Sequence, residues 1–341
     1  MGLQFSHSVG YRGLCALDGT VVLCTGGNIS LTQEPIMGSG VWGAGYMNVA
    51  PISYAYNYLS LEGSSSFELT INSTGGGSNV WNKLKETCVT DRALQHTIML
   101  KPDGHNGFNG NGWASSLSFE ASEGAAVTGS FNFKGDPSGN NITADGDNGW
   151  GSQTGAGTDE QKLGYVSSTS AYLDNLVGST LVPYWRTGLS VGKTVDEMQS
   201  DPSANMLQDV ISWSVNYNSD LQMLKCCRYE TTSPLSADYI LCGEATCDGS
   251  YTIFRLAGDF APGAYHQRRQ NFIGWMNFGS ESAEGSGTTG AKYTEDHYYI
   301  RIPYILVNSG STSMTSGAQY VSTEFSFTGL GDGKNAIIDM R

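Results

Sequence analysis

Residues 211–217, ISWSVNY, alternate strictly: Ile211, Trp213, Val215 and Tyr217 are apolar, while Ser212, Ser214 and Asn216 are polar. Period two marks a strand with one buried face, and β-branched and aromatic residues suit that face. Residues 52–58, ISYAYNY, carry nearly the same pattern 159 positions earlier. Upstream, TVVLCTGGNISL (20–31) aligns with TLVPYWRTGLSV (180–191), each an apolar run broken at a glycine-containing turn, the pattern of a hairpin. Towards the ends of the two halves, VTGSFNFKGDPSG (127–139) aligns with VSTEFSFTGLGDG (321–333), with Phe131 and Phe133 standing where Phe325 and Phe327 stand.

Three matches in the same order predict a tandem duplication, with a first domain over 1–150 and a second over 151–341. The last match is offset by 194 positions rather than 159, which predicts an insertion in the second copy near 257–296. The boundary is expected in 135–161, where Gly, Asp and Asn dominate. VWNKLKETCV (80–89) has helical spacing, and MQSDPSANMLQDV (198–210) predicts one helical turn. YIRIPYILVN (299–308) and YILCGEATC (239–247) are read as strands. The expected fold is therefore all-β with minor α: two tandem β-sandwich or barrel domains, each with about one helix.

Composition supports that reading. The chain holds 45 glycines and only 15% charged residues, a mixture that disfavours long exposed helices and favours strands joined by turns. The net charge of −14 opposes nucleic-acid binding, because no cationic surface is available to displace counterions. Arg268-Arg269 is an isolated basic pair, read as a solvated loop or a subunit contact. The start, MGLQFSHSVGYRG, has no basic segment followed by an apolar run, so no secretory signal is expected. Its match to the myristoylation template is short enough to arise by chance. No stretch approaches a membrane-spanning length.

Candidate chemistry is sparse. Seven cysteines (Cys15, Cys24, Cys88, Cys226, Cys227, Cys242 and Cys247) contain no CxxC pair and are read as reduced thiols. GLSVGKT (188–194) has one residue too few between its glycines for a phosphate loop. DGDNG (145–149) resembles a calcium loop but has Ala156 where the bidentate Glu is needed. The five histidines form no metal-binding pattern, and no nucleophile elbow occurs. The expectation is a non-enzyme with no cofactor, no metal and no catalytic residue, acting through assembly or surface binding.

In the hairpin followed by a long loop, the ISWSVNY strand and the closing EFSFTG strand (324–329), the chain resembles the tail tube proteins of long-tailed bacteriophages. The resemblance covers 178–333 and, more faintly, 18–139. It implies a virion structural protein, assembled in the host cytoplasm, whose β domains pack side by side into rings that stack into a hollow tail tube. The implied partners are further copies of the chain, as a trimeric ring acting as a pseudo-hexamer or as a hexameric ring. The tape measure protein, the terminator and, in a contractile tail, the sheath would follow. DNA would pass through the lumen without specific binding, and no membrane is involved. Loops 34–51 and 193–210 resemble the family's ring-stacking loop, with Trp42, Tyr46 and Met47 in the first and Met198 and Met206 in the second as apolar anchors. Two alternatives stand beside this. Another tail ring component (terminator, distal tail or baseplate hub protein) would form closed rings without tubes, and a carbohydrate-binding β-sandwich would use some of the 18 Tyr and 7 Trp.

Overall fold

The computed structural model describes residues 14–18, 20–22, 24–32, 35–37, 54–56, 60–72, 83–85, 94–101, 108–135, 179–182, 184, 187–192, 209–224, 226, 239–255, 270–277, 297–313, 321–330 and 337–340. These are almost entirely antiparallel β, with a single helical turn at 83–85 inside the expected helix.

The first half contributes β1 (Leu14–Leu17), β2 (Thr20–Val22), β3 (Cys24–Thr32), β4 (Pro35–Met37), β5 (Tyr54–Tyr56) and β6 (Ser60–Glu68). It continues with β7 (Thr70–Asn72), β8 (Gln95–Lys101), β9 (Phe108–Ser122) and β10 (Thr128–Gly135). The second half contributes β11 (Ser179–Leu181), β12 (Thr187–Gly192), β13 (Val210–Asn218), β14 (Leu221–Leu224) and β15 (Tyr239–Cys242). It ends with β16 (Thr246–Arg255), β17 (Gln270–Asn277), β18 (His297–Ser313), β19 (Val321–Leu330) and β20 (Asp339–Met340).

One spatial path occurs twice. In the first half it runs β1-β8-β9-β10-β6-β3, and in the second β12-β17-β18-β19-β16-β13. Both follow the same chain order. The registers agree in detail: Gly27, Ser65, Phe131 and Leu117 form one cross-strand row, and Trp213, Tyr251, Phe325 and Gly310 form its counterpart.

Irregularities recur at the same places as well. β3 carries a bulge at Thr25 and β13 one at Ile211; β9 carries one at Ser115 against β10, and β18 one at Asn308 against β19. A bulge bends a strand, and each long strand changes neighbours near its bulge. The first part of β9 pairs β8, its second part pairs β13, and the first part of β18 pairs β17. Each half thus folds into two facing layers. β8 lies over β3, since a Cβ on Gly27 would stand 2.9 Å from Leu100 Cδ1.

Aromatic residues fill the space between the layers. Phe67, Phe119, Phe131 and Phe133 cluster in the first half, with ring centroids 6.2–6.4 Å apart. Tyr251 stacks on Phe325 at 5.2 Å in the second. Glycine makes room at equivalent points: a Cβ on Gly63 would strike Phe133, and one on Gly249 would strike Phe327.

These registers correct the alignment drawn from the two heptapeptides. ISWSVNY occupies β13, in the interior of the large sheet, whereas Tyr54–Tyr56 form β5, which pairs only with β4 among the described strands. The counterpart of β13 is β3, 186 positions earlier, and the same spacing relates the β4–β5 hairpin to β14–β15. Segment 20–31 likewise does not match 180–191, since β2 pairs β1 while β11 pairs β7. The Phe131/Phe133 match to Phe325/Phe327 holds. Spacing grows only from 186 to 194 between the matched rows, and β17 within 257–296 is the counterpart of β8, so these registers call for no large insertion there.

The strand read over 239–247 is two strands. The chain turns at Gly243, whose N–H donates to the Asp220 carbonyl at 2.8 Å, and Asp220 itself has φ of 47°. The strand read over 299–308 lies within β18. Segments 136–161 and 198–208 lie outside the described residues.

Candidate functional site: a seam between the halves, two open edges and a polar face

The two repeated units share one sheet because β9 pairs β13. Seven residue pairs run from Ser122↔Ser212 to Ser116↔Asn218. On the core side this seam sets Ala121, Phe119 and Leu117 against Trp213, Val215 and Tyr217, all buried. Trp213 Nε1 donates to Thr187 Oγ1 at 3.0 Å, so the indole is anchored as well as packed. Both ends are finished by bulge carbonyls: Glu123 N–H donates to Ile211 O at 3.0 Å, and Ser219 N–H donates to Ser115 O at 2.9 Å. A second tie joins Val127 N–H to Val182 O at 2.7 Å and Val182 N–H to Leu69 O at 3.1 Å.

Among the edges without a strand partner in the described residues, which include those of β2 and β12, two repeat the elements of the seam. One is the outer edge of β3, the counterpart of β13. The other is the outer edge of β18 from Leu306 to Ser313, the counterpart of the part of β9 that pairs β13. Residues 25–28, Ser30 and Thr32 of β3 are exposed, as are Ser309 and residues 311–313 of β18. The two elements that meet at the internal seam thus recur as two of the open edges of the described sheet.

The face of the large sheet opposite the core is covered with hydroxyls and amides. Ser118 Oγ lies 2.6 Å from Ser130 Oγ, Asn132 Nδ2 donates to Ser116 Oγ at 2.6 Å, and Ser309 Oγ lies 2.6 Å from Ser326 Oγ. Ser214 and Ser250, Asn216 and Asp248, and Ser313 and Ser322 make further rungs at 3.0–3.1 Å. Strand alternation puts Glu62, Glu68, Glu120, Asp248 and Glu324 on this face, with Lys134 as the cation, 3.7 Å from Glu62. A shallow groove over Asn28, Ser30, Glu62, Ser64 and Lys134 is lined mainly by such polar groups.

Away from this face, Asp18 caps the β1–β2 turn with φ of 48°. Its Oδ2 accepts from buried His96 Nδ1 at 2.8 Å, and its Oδ1 accepts from Thr97 N–H at 2.8 Å. Burial acts to raise this carboxyl, but those two hydrogen bonds outweigh it and hold it below its ordinary value. No cluster of three or more His, Cys, Asp or Glu suited to a metal occurs among the described residues.

Trp42, Tyr46, Met47, Met198 and Met206 all lie outside the described residues. The topology nonetheless separates their two loops. Residues 38–53 join the strands of the β4–β5 hairpin, whereas 193–209 lead from β12 into β13. The counterpart of the first loop is therefore the β14–β15 hairpin, which exposes Leu224, Tyr239 and Leu241. Sequence reasoning missed these three. Only the 186-residue register, hidden by weak residue similarity, points to them.

No protein-family model and no curated protein matches the chain. Solved structures similar to it include the sheath/tube terminator of PVC, an extracellular contractile injection system, in its extended state: 10% identity, 47% of this chain and 96% of that chain, TM-score 0.32. Another is the SPP1 tail tube, at 10% identity, 46% of this chain and 77% of that chain, TM-score 0.27.

Proposed function

We propose that the protein is a structural subunit that assembles with copies of itself into rings, and that the rings stack into the tail tube of a bacteriophage. The observation that carries this is the β9–β13 seam, whose two elements recur as two open edges among the described strands. An exposed edge offers unpaired N–H and C=O groups to another strand. Repeating the seam between copies sets the second part of β18 against β3 of the next subunit. Transferring the register opposes Asn28 to Ser313, Ile29 to Thr312, Ser30 to Ser311, Leu31 to Gly310 and Thr32 to Ser309. The contact is heterologous and ends its growth when the rotation closes a ring.

Both halves then belong to the wall. Each subunit supplies eight inner strands: β3, β6, β10, β9, β13, β16, β19 and β18. At about 4.8 Å per strand, three subunits enclose a bore roughly 40 Å across between facing backbones, and six would double it. The narrower ring suits a conduit for one duplex, which favours three subunits over six when both halves line the wall; a hexamer with one half outside is disfavoured because the β9–β13 seam joins both halves in one sheet.

The polar face lines the bore in this arrangement. Its hydroxyl carpet and its excess of carboxylates, with Lys134 held beside Glu62, offer DNA little cationic foothold. Neutralising Glu62, Glu68, Glu120, Asp248 and Glu324 to their amides is expected to slow DNA ejection from assembled particles. The β4–β5 and β14–β15 hairpins, which pair with no strand of the large sheet among the described residues, serve as ring-to-ring contacts, with Trp42, Tyr46 and Met47 in the connection of the first and Leu224, Tyr239 and Leu241 on the second. Met198 and Met206, on the connection from β12 to β13, would meet the next ring at the same axial interface.

Negative-stain microscopy of the purified protein tests the reading. Long hollow tubes are expected. Closed rings alone would indicate a terminator or hub component, and monomers that bind glycan columns would indicate a carbohydrate module.

A further inference from the structure

Cys15, Ser65 and Cys24 meet between the two layers of the first half, away from the seam and the polar face. Cys15 lies on β1 and Ser65 on β6, both buried, while Cys24 opens β3 and is half-buried. Ser65 Oγ donates to Cys15 Sγ at 3.2 Å and stands 3.5 Å from Cys24 Sγ. As a thiol, Cys24 donates to the Gly26 carbonyl at 3.0 Å. The neighbouring Cys15 thiol, with Ser65 and the Gly26 carbonyl, draws Cys24 down to about 6 against the cost of burial, and the neighbouring Cys24, with burial, pushes Cys15 well up. The second half has no such pair: Val210 stands in the place of Cys24, and Tyr251 in that of Ser65.

One half-accessible sulfur and one buried sulfur beside a shared hydroxyl form an attacking and resolving arrangement. We propose that Cys24 and Cys15 are a redox site that reduces a small-molecule disulfide of the glutathione type and is itself closed into a Cys15–Cys24 disulfide. The Cys24 thiolate attacks one sulfur of the small disulfide, whose S–S bond breaks; one thiolate leaves and takes up a proton. Cys15 then loses its proton to water and attacks Cys24 Sγ, expelling the second small thiolate, which is protonated in turn. The balance is one small disulfide reduced to two thiols and two cysteine thiols oxidised. The new bond ties β1 in the covering layer to the bulged start of β3, the strand whose outer edge is open.

The full chain, incubated with glutathione disulfide, quenched by alkylation and mapped by peptide mass spectrometry, provides the test. The expected product is a peptide linking Cys15 to Cys24 and lacking two hydrogens, together with a higher melting temperature. Cys15→Ser is expected to stop at a glutathione adduct on Cys24, and Cys24→Ser to leave Cys15 unmodified. An unmodified Cys15 and Cys24 in the wild-type chain, or a lasting adduct on Cys24 without the cross-link, would overturn the proposal. Both readouts use the wild-type protein and are independent of how the variants fold.

Discussion

The seam inside the chain and the two open edges that repeat it are built from equivalent strands but different side chains. Inside, Trp213, Val215 and Tyr217 face Ala121, Phe119 and Leu117, all buried. At the edges the counterparts of Trp213 and Val215 are Gly27 and Ile29, and those of Phe119 and Leu117 are Thr312 and Gly310. A seam fixed by chain connectivity is never exposed in the folded protein, so it can hold large apolar groups. An edge that meets solvent before assembly would aggregate with the same residues. On the proposed assembly, the difference lets one pairing geometry be permanent in one place and deferred in another.

The comparison is broken most severely at Trp213. Trp213→Ala removes a buried indole and its bond to Thr187, and is expected to cost about 3–5 kcal/mol in chemical denaturation. Gly27→Ala at the equivalent edge position is expected to change stability by less than about 1 kcal/mol, because the closest neighbour is the flexible end of Leu100 and the Ser64 carbonyl stands further off, at 3.3 Å. Equal losses at the two sites would remove the distinction between seam and edge.

The glycines under the phenylalanines test the equivalence of the halves themselves. Gly63→Ala drives a methyl into Phe133 and Gly249→Ala drives one into Phe327, each also crowding a neighbouring carbonyl, of Asn28 and Ser214 respectively. Both are expected to lose about 1–3 kcal/mol, by similar amounts. Thermal melts that show one change tolerated and the other not would argue that the halves pack differently.

Charge placement sharpens the edge register. Ser30 and Ser311, exposed and opposed in the transferred register, are expected to block assembly when both become Lys and to restore it as Ser30→Lys with Ser311→Glu. The difference is about 0.2–1 kcal/mol per pair and is repeated at every seam. Sedimentation of the two double variants measures it, with the isolated subunits melting alike.

The smallest expected effect belongs to the first half alone. Asp18 is held below its ordinary value of 3.8, so its contribution to stability is present above that pH and is lost as pH falls through the folded-state value. Asp18→Asn is expected to flatten the acid limb of the stability profile below about pH 4. An unchanged limb would remove the His96 and Thr97 hydrogen bonds as its cause.

The strands were legible in the chain where one face is buried. Trp213, Val215 and Tyr217 lie in the core as their alternation predicts, and Ile211 departs from it because it sits at the bulge. Phe131, Phe133, Phe325 and Phe327 marked the equivalent closing strands. The register of the repeat was not legible, because period-two patterns match at many offsets and the true partner of aromatic-rich β13 is the glycine-rich β3. β17 was hidden in a segment read as an insertion. The open edges carry no sequence signal of their own, since they are defined by which strand is absent beside them. Nor does the Cys15–Ser65–Cys24 cluster, which is brought together by packing between layers.

Cross-linking across the transferred register tests the central claim most directly. Even-numbered residues of β13 direct their N–H groups away from the seam, as the Ser219 N–H to Ser115 bond on the odd positions indicates, so Ser30 and Ser311 should face each other as a non-hydrogen-bonded pair about 4.5 Å apart at Cα, close enough for a disulfide. A chain carrying Ser30→Cys and Ser311→Cys, assembled and then oxidised, is predicted to yield covalent oligomers that stop at the ring size, with residues 30 and 311 of different chains joined in the mapped peptides. Assembled particles that form no such link, or that link these positions only within one chain, would contradict the account.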